Sequence, residues 1–83
     1  MKNLFFTHHA HDRLEERGVS QRQVYDTLKN PDDIQPSKKG LGRFVAEKHL
    51  ETGQTLRVIY TEEGDFYVII SVIKMGRQRR AGQ

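Results

Sequence analysis

The chain has 83 residues, of which 35% are hydrophobic and 30% charged, with no cysteine and a formal net charge of +3. That length suits one small core, and the lack of thiols removes both a disulfide framework and a thiolate zinc site as its support. No stretch approaches the roughly 20 apolar residues of a membrane-spanning helix, so no membrane partner is expected.

Met1 to Phe6 carry one lysine and a short apolar patch, without the longer apolar run and small-residue cleavage site of a signal peptide, and a cytoplasmic protein is expected. Leu4 to Phe6 suit a short first strand. Thr7 is then an N-cap for a helix from His8 to Arg17, and Gly18 fits the left-handed position that ends one. The second helix is the best marked. Ser20 and Gln23 form a capping box, Val19 and Val24 stand at the two positions of a hydrophobic staple, and Leu28 continues the apolar stripe. Asn30 before Pro31 stops it, because proline disfavours helical geometry in the preceding residue.

Residues 32 to 42 contain proline, serine and glycine without a sustained period and read as a long loop, with Ile34 as an anchor to the core. Three stretches with a period near two follow, Arg43 to Leu50, Thr55 to Thr61 and Phe66 to Lys74, joined by glycine-containing turns. The expected order is (β)ααβββ: an α+β domain over residues 1–76, with two helices packed on one face of an antiparallel sheet. Strict alternation puts Phe44, Ala46, Leu50, Leu56, Val58, Tyr60, Phe66, Val68, Ile70 and Val72 against the helices. It leaves Arg43, Val45, Glu47, His49, Arg57, Ile59, Tyr67, Ile69, Ser71 and Ile73 on the other side. The last strand is apolar on both sides and is expected inside the sheet.

Residues 77–83 read as a basic, flexible tail. Four of the 14 bases, Lys74, Arg77, Arg79 and Arg80, lie from position 74 onward with no acid among them, which leaves ten bases against 11 acids before it. The body of the chain is therefore nearly neutral, and an argument for RNA must rest on where bases meet in the fold.

On the first helix His9, Arg13 and Arg17 form a row beside the apolar Ala10 and Leu14. The pattern Thr7, His9, Ala10, Arg13, Arg17 and Gly18, with the later stretches TLRVIY and VIKM, resembles a bacterial domain-of-unknown-function family placed in the RelE-like superfamily, whose relatives include the BrnT toxin. The resemblance runs from about Phe6 to about Met75. It implies a RelE-like fold and a toxin-type RNA-binding protein, a candidate metal-independent endoribonuclease that acts on free or ribosome-associated RNA under the control of an antitoxin protein.

Cutting RNA by its own 2′-hydroxyl needs groups that take and return a proton and cations that offset the charge on the phosphate. A histidine can serve as acid or base near neutral pH. His9, Arg13, Arg57 and Lys74 are the candidate catalytic set, expected to converge on one electropositive site, with Arg17, Arg43 and Tyr67 as further RNA contacts. Simpler roles stand beside these. His9 can serve the start of the helix, Arg13 and Arg17 can pair with nearby acids, and Arg57 can pair across strands with Glu47. A noncatalytic protein- or RNA-interaction module of the same fold is the alternative function. His8 and His11 share a helical face, but no carboxylate or cysteine pattern completes a ligand set, so neither a metal nor another cofactor is expected.

Overall fold

The computed structural model describes residues 2–76. In chain order they form β1 (Asn3–Phe6), α1 (His8–Arg17), α2 (Gln21–Lys29), β2 (Asp33–Pro36), β3 (Phe44–His49), β4 (Thr55–Glu63) and β5 (Phe66–Met75). The tail expected over residues 77–83 lies outside the described residues.

Both helices start and stop at the residues read as caps. Thr7 Oγ1 accepts the Ala10 N–H at 3.1 Å. Gly18 closes α1 at φ 62°, a conformation that costs glycine no Cβ clash, and its N–H reaches back to the carbonyls of Leu14 and Glu15. At α2 both halves of the capping box are made, Gln23 N–H to Ser20 Oγ at 3.1 Å and Ser20 N–H to Gln23 Oε1 at 3.0 Å. Asn30 donates its N–H to the Asp26 carbonyl, after which Pro31 prevents a further turn.

The five strands make one sheet in the order β1-β5-β4-β3-β2. Successive hairpins pair β2 to β5 antiparallel, while β1 lies parallel to β5, with Phe6 opposite Ile69. The sheet is therefore mixed rather than wholly antiparallel, and β5 is internal as expected. Both helices cover one face. Ala10, Leu14, Val19, Val24 and Leu28 bury against Ala46, Leu56, Val58, Tyr60, Ile69 and Val72.

Two further expectations change. The segment read as a loop contains β2, whose residues pair with β3 from Asp33 opposite Glu47 to Pro36 opposite Phe44. Its sequence hides it because every residue is exposed and one is proline, features suited to an edge strand, where one row of backbone groups faces solvent. Ile34 stands opposite Ala46 but is 48% exposed, so it rims the core rather than anchoring in it.

The second change concerns the faces of β5. The register passes from Ile59 opposite Ser71 to Tyr60 opposite Ile69, which leaves Ile70 as the extra residue of a β-bulge. One extra residue inverts the alternation N-terminal to it. Tyr67 and Ile69, expected on the open side, belong to the helix side, where Ile69 is fully buried and Tyr67 meets the Tyr60 ring edge-on at 5.4 Å. Phe66 and Val68, expected to be inside, lie on the face without helices. Ile70 is half-buried at the bulge.

Residues 37–43 link β2 to β3. Ser37 donates its N–H to the Arg43 carbonyl, and Arg43 donates its own to Gly40 O at 3.1 Å. The two central residues of that last turn, Leu41 and Gly42, have φ of 60° and 70°, the type I′ pattern that matches strand twist. Glycine accepts that geometry freely, whereas a leucine in it costs roughly 1–2 kcal/mol.

Candidate functional site

The sheet face away from the helices carries the apolar residues Val45, Ile59 and Ile73 around one charged pair. Glu47 and Arg57 stand directly opposite each other on β3 and β4, and Arg57 Nε donates to Glu47 Oε2 at 2.5 Å. The cross-strand pairing legible in the sequence is thus made. The bond runs through Nε, and a guanidinium with five donors keeps capacity for an oxyanion. The pair lines a shallow depression of about 190 Å³, with Lys38, Gln35 and Asp33 at its β2 rim.

The arginine is 39% exposed and the carboxylate 21%, so the pair is solvated and adds at most about 1 kcal/mol to stability. Apolar neighbours lower the local dielectric, which strengthens both the pull of Arg57 and the repulsion of Glu47 on any further anion. Two residues beyond Glu47, on the same face of β3, stands His49. Its Nδ1 lies 3.1 Å from Thr55 Oγ1, and its backbone N–H bonds Asp32 Oδ2 at 2.7 Å. At about 3.3 Å per residue, roughly 7 Å of strand separates His49 from Glu47.

The residues chosen from the sequence do not gather at one point. Arg57 is on the open face. Lys74 stands opposite Leu56, one residue out of phase with Arg57, and therefore on the helix side. There its Nζ donates to Gly18 O at 3.2 Å, just as Lys48, on the other flank of Leu56, donates to Asn30 O at 2.9 Å. Two lysines of one sheet row thus serve the carbonyl ends of the two helices, where a cation is favoured by both hydrogen bonding and the helix dipole.

His9 and Arg13 lie on α1, and Arg13 Nη1 pairs with Glu16 Oε1 at 2.8 Å. Arg17, last of that row, donates to the Val72 carbonyl on the stretch of β5 beyond its pairing with β1. A sheet with its side chains intervenes between these groups and Arg57, so the four proposed catalytic residues cannot share a phosphate. Arg43 precedes Phe44, whose ring is on the helix side, and alternation therefore places it with Val45 and Arg57. Tyr67 leaves the RNA-facing set because the bulge turns it inward. Of the seven residues, Arg57 alone lines the depression, and Arg43 shares its face by alternation without lining it.

The residues missed were Glu47 and His49 as members of the site. Their signal was present, since simple alternation along β3 puts both with Arg57. Among the described residues no group of three or more metal-ligating side chains is close enough to hold an ion, and no helix is long and apolar enough to cross a membrane.

Helices on one side, a mixed sheet open on the other, and a charged pair set among aliphatic residues define a small α+β domain with one helix-free sheet face. The chain belongs to the family described as "Domain of unknown function (DUF4258)", whose model matches residues 6–74. No curated protein and no solved structure gives a significant match.

Proposed function

We propose that this domain is a toxin-type RNA-binding protein, in the sense of the RelE-like proteins that its first helix resembles, and that RNA lies on the helix-free face of the sheet. The observation that carries this reading is Arg57, a cation among Val45, Ile59 and Ile73 in a depression that also has Lys38 at its rim. Arginine matches the geometry of a phosphate with two parallel donors, and an apolar surround suits the sugar and base.

In the catalytic form of this reading the ribose 2′-oxygen attacks the adjacent phosphorus. The Glu47 carboxylate accepts the 2′-proton, Arg57 holds the phosphate oxygens, and His49 as imidazolium gives a proton to the 5′-oxygen as its bond to phosphorus breaks, leaving a 2′,3′-cyclic phosphate. Glu47 is already ion-paired through Arg57 Nε, so it takes the 2′-proton as that bond yields, while the remaining guanidinium donors hold the phosphate. Restraint of this enzyme in a cell would fall to an antitoxin protein.

The test is binding and cleavage of a labelled RNA oligomer by the intact chain. Arg57→Ala should weaken binding about tenfold and reduce the slope of log affinity against log salt by about one, while His9→Ala binds as wild type. Glu47→Gln should abolish cleavage without loss of binding. A wild-type chain that binds no RNA at any salt concentration sinks the reading.

A noncatalytic protein-interaction role has its own support. On the same face Phe5, Phe66 and Val68 form an apolar patch beside Glu63, and the two phenylalanines are 55% and 44% exposed. Exposed aromatics are a common anchor of protein interfaces.

A further inference from the structure

The turn from β2 to β3 places a leucine where the fold gains nothing from it. Leu41 is 77% exposed, and its φ of 60° is one that asparagine or glycine would adopt with less strain. Both flanking residues are glycine. A Cβ built on either would meet no atom within 4 Å, so the tip stands clear of the rest of the domain. A side chain that is strained in backbone, unpacked and apolar is free to make contacts outside the chain.

The charge around it narrows what those contacts are. From Gln35 to Ala46 there are three cations, Lys38, Lys39 and Arg43, and no acid. Lys38 also lines the depression that holds Arg57, so the tip and the depression share a rim. A polyanion seated on Arg57 would therefore continue over the hairpin, its phosphates passing the two lysines and its bases meeting Leu41.

We infer that the β2–β3 hairpin is a second, strand-selective RNA element, in which Leu41 wedges against an unstacked base while Lys38 and Lys39 hold the flanking phosphates. This rests on the RNA reading of the open face and adds the substrate class, single-stranded RNA. Apolar side chains enter a base stack most easily where the bases are not already paired. An isolated leucine is a poor membrane anchor by comparison, because it buries little area in a bilayer.

The experiment compares three chains, wild type, Leu41→Asn and Lys38→Gln/Lys39→Gln, by fluorescence anisotropy with a single-stranded RNA oligomer and with a duplex of the same length. Leu41→Asn should melt at or above the wild-type temperature, because asparagine tolerates the left-handed turn. It should also lose about fivefold or more in single-strand affinity, with duplex affinity unchanged. The double lysine variant should lose affinity for both and flatten the salt dependence by about two phosphate contacts.

Unchanged single-strand binding by Leu41→Asn, in a protein whose Arg57→Ala variant is impaired, overturns the hairpin inference and leaves the open-face reading intact. A wild type that binds no RNA overturns the open-face reading itself. If it instead binds phosphatidylserine vesicles through Leu41, the tip is a lipid contact and the inference is wrong.

Discussion

At the scale of single residues, the same side-chain type does different work according to which side of the sheet it leaves from. Arg57 and Lys74 sit on adjacent strands, yet Arg57 meets Glu47 in the open while Lys74 closes the end of α1. Tyr60 shows the other consequence of side. It is buried between Phe44, at 5.8 Å, and Tyr67. Burial first, then the Glu62 carboxylate and Tyr67, hold its phenol above the ordinary value of 10.0. Below pH 10 the phenol is neutral in both the folded and unfolded chain, and its contribution to stability is complete. As pH rises beyond 10 the unfolded chain ionises first, so stability falls until the folded phenol also titrates. Denaturant midpoints measured from pH 8 to 11 should therefore decline at the alkaline end, and Tyr60→Phe should flatten that decline. An identical decline in the variant would assign it to other groups.

At the scale of elements, local rules fix the helices and fail at two strands. The Ser20 and Gln23 box gives a direct prediction: Ser20→Ala should cost about 1 kcal/mol, read from the urea midpoint. An unshifted midpoint would show that the box adds nothing to the folded state. The bulge gives a less usual one. Removing Ile70 would join Ile69 to Ser71 and restore strict alternation, with Val72, Ile69 and Tyr67 still facing the helices. Deletion of Ile70 should thus leave a cooperatively melting protein. Deletion of Val72 removes a core side chain and forces the shift into the stretch that carries Lys74, and it should not fold. If the Ile70 deletion also fails to fold, the bulge is required for closing the sheet and not merely accommodated by it.

At the scale of the whole molecule, two helices can cover only one side of five strands, and the other side is left to solvent or to a partner. The inner side is settled by mutation. Ile69→Ala should cost about 2–5 kcal/mol because it empties a fully buried site, whereas Phe66→Ala, at an exposed position, should stay within about 1 kcal/mol. Strict alternation, which places Phe66 inside and Ile69 outside, predicts the opposite order, so thermal denaturation of two variants decides between the two arrangements. On the proposed reading, in which RNA lies on the face of Arg57, the same one-sidedness removes His9, Arg13 and Lys74 from direct contact with any phosphate held there.

The sequence by itself determined the elements whose causes are local. Thr7, Gly18, Ser20, Gln23 and Pro31 bound the helices through hydrogen bonds and dihedral limits that span only a few residues, and the three long strands follow from their own alternation. It also supplied the Glu47 and Arg57 pair, because neighbouring strands joined by a short turn have a predictable register. The tertiary structure decided what depends on distant chain. It paired β1 parallel to β5, drew Asp33–Pro36 into the sheet as an edge, and absorbed one residue at Ile70 so that Tyr67 and Ile69 face the helices. It also put a whole sheet between His9 and Arg57. Each of these is settled by which surfaces can be buried together, and periodicity within one strand carries no information about the strand or helix that will cover it.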